Sequence, residues 1–206
     1  MITKSVIFMV ESGRALDLVK QHIAERRRVS GDVRAMADEL GTQSVFTDRS
    51  SGVLTGIDFG RVAPHVDFKK PNKYGASYPK KGSDWARRFK EQLCYANPAE
   101  VIAREFDVPM TIHYKTDGGE GWRHIGGMMA ECGWLYLSAD GPYAMWVPDV
   151  EAEVAEDVAR GNTVSEPAAS FVPKFDGCRR VEHEEWDILV AQHALAKKQA
   201  LKAVPA

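Results

Sequence analysis

Two histidines, His113 and His124, lie in "TIHYKTDGGEGWRHIGG" with Asp117 and Glu120 between them. Imidazoles are the ordinary proton carriers near neutral pH and common metal ligands, and carboxylates beside them can orient a ring or share a cation. A two-residue turn at Gly118 and Gly119 would set positions summing to 237 opposite each other. His113 would then face His124, Lys115 would face Trp122, and Asp117 would face Glu120. All six would share one face of the hairpin and leave Ile112, Tyr114 and Ile125 for the other. Directly opposed residues have Cβ atoms about 5 Å apart, close enough for two rings to share a metal or divide acid and base roles. A longer loop from Asp117 to Gly121 would shift this register. In either case two histidines without a third ligand make an incomplete metal site, and an exposed hairpin face is polar in any event.

A second concentration of chemistry is "FKKPNKYGASYPKKGSDWARRFKEQ", Phe68 to Gln92, where eight Lys or Arg meet two acids and five aromatics are interleaved. Lys69, Lys70, Lys73, Lys80 and Lys81 can reach phosphates and release counterions, while Tyr74 and Tyr78 can stack on bases. Arg87 and Arg88 extend the charge onto the helix that follows. That helix also has a structural reading, with Trp85, Phe89 and Leu93 as its buried stripe and its cations solvated. The loop before it, long for a compact domain, is the stronger candidate for an anionic ligand.

The remaining reactive residues carry less. His183 and His193 are ten positions apart, so the i, i+4 spacing of a zinc-binding helix is missing. His22 stands beside the basic run "ERRR" and reads as solvated. Cys132, in "MAECGW", is the cysteine nearest a turn in the hairpin region and reads as a buried structural thiol. No glycine spacing matches a phosphate-binding loop or a nucleophile elbow. No cofactor and no resident metal are expected.

The elements that must hold these residues follow from periodicity. "KSVIFMV" reads as a strand buried on both faces. The region after it is helical, and Leu16, Val19 and Ile23 occupy a stripe rotated by roughly a quarter turn from Val33, Met36 and Leu40. A break near "VSGD", with Ser30 or Asp32 as a cap and Gly41 as terminator, would give two helices or one bent one. "QSVFTDRSSGVLTGIDF" reads as a hairpin. Ser83 and Asn97 are helix caps, the latter with Pro98 at the first helical position.

Further strands follow at "PMTIHYK", "GWRHI", "GWLYLS" and "PYAMWVP". The apolar pair around "SADG" predicts a central hairpin with Trp134, Leu135, Leu137, Trp146 and Val147 largely buried. A helix from Asp149 to Arg160, a linker-like stretch over about 161–177 and a last helix from Glu182 to Ala203 complete the chain. The expected fold class is α+β, a mostly antiparallel sheet of consecutive hairpins covered by N-terminal and C-terminal helices.

At 206 residues, 44% apolar and 27% charged, the chain fits a single globular domain over 1–206. Its net charge of −2 is a balance of segregated parts, basic over Phe68–Gln92 and acidic over Asp149–Asp157 and Glu182–Asp187. Cys94, Cys132 and Cys178 are too dispersed for a disulfide framework or a zinc knuckle, so a reducing cytoplasm is the expected location. The apolar run after Lys4 is too short to span a membrane, and no membrane partner is expected.

Three segments, "FTDRSSGVLTGIDFG", "FKKPNKYGASYPKKGSDWARRF" and "GWLYLSADGPYAMWVPDV", resemble the uncharacterised small proteins of tailed temperate phages and prophages of Proteobacteria. The likeness spans most of the chain. It implies a virus-encoded accessory or anti-defence factor acting in the host bacterial cytoplasm, and it assigns no functional residue.

Three expectations result. The first is a non-enzymatic protein binding nucleic acid, a nucleotide or an acidic surface of a host or phage protein through the basic aromatic loop. The second is a small hydrolase or metal-assisted enzyme centred on His113 and His124. The third is a protein–protein inhibitor or assembly factor acting through the acidic C-terminal helices.

Overall fold

A computed structural model of the chain describes residues 5–47, 54–58, 61, 67–75, 77–93, 97–109, 111–116, 119–124, 132–164 and 175–203. In chain order the elements are β1 (Ser5–Val10), α1 (Gly13–Glu39), β2 (Val45–Thr47), β3 (Leu54–Ile57), α2 (Asp84–Leu93), α3 (Pro98–Glu105), β4 (Thr111–Thr116) and β5 (Gly119–His124). They continue with β6 (Gly133–Tyr136), β7 (Tyr143–Pro148), α4 (Val150–Ala159), β8 (Thr163–Val164), β9 (Cys178–Val181) and α5 (His183–Ala203). Every strand pairing among the described residues is antiparallel, so the fold is α+β with helices near both ends of the chain. The chain contains two compact units, residues 1–20 with 97–206, and residues 21–96.

The first unit is built on a four-stranded sheet of order β6-β7-β1-β9. All six residues of β1 are buried, as a continuous β-branched and aromatic run requires of a strand covered on both faces. On one face Ile7, Met9, Ala144 and Val181 pack with Trp186 of α5. On the other, Phe8 meets Phe175 edge to face at 4.5 Å, and Phe106 meets the same ring at 4.9 Å. His183 Nε2 donates to the Ser5 carbonyl at 2.9 Å, tying the start of α5 to β1. The Gly177 carbonyl accepts from the backbone of both Glu11 and Ser12, clasping the turn before β9 to the end of β1.

The β6–β7 hairpin forms as the sequence predicts, with Trp134 opposite Met145 and Leu135 opposite Ala144. Trp134 and Val147 are buried, while Leu135, Leu137 and Trp146 are half-buried. The reason is position. β7 is an inner strand but β6 is the sheet edge, and the centre belongs to β7 and β1, which the sequence separates by more than a hundred residues. The sequence reading places no strand on β8 or β9. Each is short, and each pairs with a distant strand rather than with a sequence neighbour.

The second unit packs Val29, Val33, Met36, Ala37 and Leu40 of α1 against Leu54, Ile57, Phe68 and Trp85. Here the structure corrects the expected break near "VSGD": α1 is one uninterrupted helix of 27 residues. Its inward face repeats every seven positions through Val19, Arg26, Val33 and Leu40, and a heptad repeat drifts by about 20° per heptad around a straight helix. That drift accounts for about half of the expected quarter turn; the rest arises because Leu16 is only half-buried, whereas Ala15 and Leu18 are buried and bring the inward face closer to that of Val33, Met36 and Leu40. Ser30 caps nothing, because its Oγ accepts from the Leu54 backbone at 3.2 Å, and Asp32 pairs with Arg28 at 2.7 Å. Gly41 does end the helix, with φ of 63° and the Thr42 N–H returning to the Ala37 carbonyl.

Candidate anion-binding surface

The basic loop is a closed structure. Phe68 and Pro79 form an antiparallel bridge, the Lys69 N–H donates to the Tyr78 carbonyl at 2.8 Å, and the Lys80 N–H donates to the Asp67 carbonyl at 2.7 Å. Lys69–Lys70 and Lys80–Lys81, ten residues apart in sequence, therefore lie on adjoining backbone at a common neck. Phe68 anchors that neck as a buried ring set edge to face against buried Trp85 at 6.1 Å. Ser77, also buried, donates through Oγ to the Lys69 carbonyl. At the tip the Tyr74 N–H donates to Asn72 Oδ1 at 2.8 Å and the Gly75 N–H to the Asn72 carbonyl at 2.9 Å. Gly75 has φ of 80°, a left-handed conformation that glycine adopts without strain.

This framework leaves its lysines and its two tyrosines outward. Lys69, Lys70, Lys73, Lys80 and Lys81 are exposed, Tyr74 is 79% exposed and Tyr78 is 52% exposed. The Lys73 ammonium lies over the Tyr74 ring at 4.8 Å, so one cation and one π-face already form a unit at the tip. A chain that bends back at a neck spends less conformational entropy on binding than a free loop.

The helix behind the loop contributes differently. Ser83 caps α2 as expected, with Oγ accepting from the Ala86 N–H at 3.2 Å. Arg88 is already engaged by the protein's own surface: it meets Glu39 of α1 through two hydrogen bonds of 3.0 and 2.7 Å, and its guanidinium lies 4.6 Å from the Trp85 ring centre. The hydrogen bond to Glu39 pushes the Arg88 pKa up. Arg87 pairs with Asp84, and with Gly82, Ser83, Ala86 and Lys90 it lines a shallow groove of about 550 Å³ next to the loop. The candidate surface is thus the loop's five lysines and two tyrosines, with Arg87 at its margin and Arg88 in its support.

The histidine hairpin takes a register different from the one a Gly118–Gly119 turn demands. His113 pairs with Trp122, Lys115 with Glu120, and His124 with Thr111. Only Asp117 and Gly118, both outside the described residues, separate Thr116 from Gly119. Paired positions sum to 235 where the Gly118–Gly119 turn requires 237, so the ladder is displaced by two positions. A two-residue shift preserves faces, so His113 and His124 stay on one face as diagonal neighbours about 7 to 8 Å apart instead of directly opposed. Their side chains, with those of Asp117 and Glu120, lie outside the described residues. Among the described residues no three His, Cys, Asp or Glu side chains gather into a metal site.

Of the other reactive groups, Cys132 is buried, as expected. Cys178 is half-buried, and burial, helped by Glu11 and Asp176, pushes its thiol up to about 11, which keeps it protonated and a poor nucleophile at neutral pH. His22, read from sequence as solvated, is half-buried, and burial with neighbouring Arg26 lowers its pKa to about 4. No described helix is long and apolar enough to cross a membrane. Compared with known protein families, curated proteins and solved structures, the chain matches none.

Proposed function

We propose that this chain is a non-enzymatic accessory protein of a phage or prophage, acting in the host cytoplasm, that binds an anionic partner through the Lys69–Lys81 loop. Single-stranded nucleic acid is the partner whose chemistry uses both halves of the surface. Phosphates answer the lysines, and unpaired bases answer the outward faces of Tyr74 and Tyr78. An acidic protein surface would engage the cations and leave the rings idle. The observation that carries the reading is the closed neck, which brings two lysine pairs onto adjoining stretches of backbone, with Tyr74 and Tyr78 exposed beside them. The phage context rests on the resemblance of three segments, and a role against host defences is its natural extension. Sequencing the flanking genes checks that context, and a neighbourhood of host metabolic genes would defeat it.

The binding test is a titration of short single-stranded DNA and RNA, duplex and nucleotides across a salt series. Replacing Lys69, Lys70, Lys80 and Lys81 together by Gln is expected to weaken single-strand binding and to flatten its slope against log salt by about 0.7 for each lost phosphate contact. Tyr74→Ala and Tyr78→Ala are expected to cost about 1 to 3 kcal/mol per stacked base with little change in slope. No binding to any of these ligands at low salt would overturn the nucleic-acid reading.

A further inference from the structure

From Val190 onward no described side chain of α5 is buried, although the helix runs to Ala203. Its inward contacts are made near its start, by buried Trp186 and half-buried Leu189, with half-buried His193 in line after them. At 100° per residue these three share one face. On the opposite face stand Glu184, Ile188, Ala191, Leu195, Lys198 and Lys202, spaced 4, 3, 4, 3 and 4 residues apart, and all six are exposed. Ile188 and Leu195 are each 57% exposed. Alternating steps of four and three are the spacing of a helix seam that packs against another helix.

The seam is ordered in a way that selects its occupant. It runs from an acid, through a large and a small apolar residue and a second large one, to two bases. When two such seams are laid antiparallel with positions summing to 386 opposite each other, Glu184 meets Lys202, Ala191 meets Leu195, and Ile188 meets the methylene stem of Lys198. A small residue fills the space beside a large one, and each end sets an acid against a base. Laid parallel, the same seams would stack Glu184 on Glu184 and both lysines on their own copies.

We infer that α5 is a self-association surface on which a second copy of this chain docks antiparallel, through Ile188, Ala191 and Leu195, with Glu184 and Lys202 fixing direction. The pair is isologous, since each residue's contact is repeated by symmetry. Glu185 stands beside the seam but is held by Arg179 through bonds of 3.2 and 2.8 Å, so it is not the directing acid. A contact of two helices over some 30 Å falls at or below the lower end of specific interface sizes, and the dimer is accordingly a weak, reversible one.

Sedimentation equilibrium on the full chain, from about 1 to 200 µM, tests this. The wild type is expected to pass reversibly from one to two chain masses. Leu195→Glu is expected to raise the dimer Kd by about 100-fold or more with an unchanged circular dichroism spectrum, since the residue is exposed in the single chain. Two further variants test direction. Glu184→Lys has like charges at both ends of its seam, and so does the double variant Lys198→Glu with Lys202→Glu. Each alone is expected to remain a monomer, and an equimolar mixture is expected to form a one-to-one heterodimer. A wild type that stays monomeric at 200 µM, a dimer indifferent to Leu195→Glu, or a mixture that fails to pair would each overturn the proposal.

Discussion

His22 occupies a position of the α1 inward face where an aliphatic residue would be the ordinary choice, and its half-burial carries a thermodynamic signature. Burial and Arg26 lower its pKa from 6.5 to about 4, so between those values the unfolded chain binds a proton that the folded chain refuses. The contribution is complete above pH 6.5 and is lost as pH falls toward 4. Discounted for partial exposure, the loss amounts to about 2 kcal/mol. Urea unfolding at a series of pH values should show this decline in wild type, and His22→Gln should remove it; an identical slope in the variant would assign the decline to other groups. Gly133 is a second residue whose type is dictated by a neighbour. A Cβ there would lie 2.6 Å from Trp146 Nε1 and 2.9 Å from its Cε2. Gly133→Ala is therefore expected to destabilise the fold by about 1 to 3 kcal/mol, read as a lower denaturation midpoint at unchanged m-value.

Among the elements, α1 makes the clearest test of continuity. Gly31 sits in its middle, exposed, with nothing within 4 Å of the position a Cβ would take. Were the helix broken at "VSGD", Gly31 would serve the break and Ala would harm it. In a continuous helix Gly31→Ala should stabilise the protein by about 0.5 to 1 kcal/mol, because glycine there costs backbone entropy and contributes no packing. Thermal unfolding decides between the two. The basic loop makes the complementary case. Its lysines are exposed while its neck is held by Phe68, Ser77 and backbone hydrogen bonds, so replacing Lys69, Lys70, Lys80 and Lys81 by Gln should change folding stability by less than about 0.5 kcal/mol. A larger loss would mean that the lysines support the fold and that any binding defect is indirect.

At the scale of the whole molecule, the order β6-β7-β1-β9 determines which backbone is best protected. β1 is hydrogen-bonded along both edges, to β7 and to β9, and all its residues are buried. Native-state hydrogen exchange should therefore be slowest in β1 and β7, faster in the edge strands β6 and β9, and fastest in α5 beyond His193, where exposure is continuous. Slow exchange along the end of α5 in dilute protein would show that the helix is covered even without a second copy. Charge is also arranged at this scale. The net charge of −2 is the sum of a basic loop, with five lysines between Lys69 and Lys81, and acidic runs on other elements, so the sum does not describe the local field at the loop.

Local pattern was sufficient where the energy is local. The Ser83, Asn97 and Asp149 ends of their helices and the Gly41 stop all rest on interactions within a few residues, and each is visible in the chain as written. So was the composition of the basic loop, though not its neck, because the Phe68–Pro79 bridge depends on the packing of Phe68 against Trp85. Tertiary structure decided the rest. It placed β6 at an edge by pairing β7 with β1, recruited β8 from the start of a stretch that reads as linker and β9 from just beyond it, paired Arg88 with Glu39 of α1, and half-buried His22 where the adjoining charges suggested solvent. The hairpin register lay between these cases. "DGGE" permits more than one register, and the ladder that forms sets His113 opposite Trp122 and His124 opposite Thr111. The physical reason is common to all of them. Capping and periodicity are set by neighbours along the chain, whereas strand order, ion-pair partners and burial depend on residues that only the folded chain brings together.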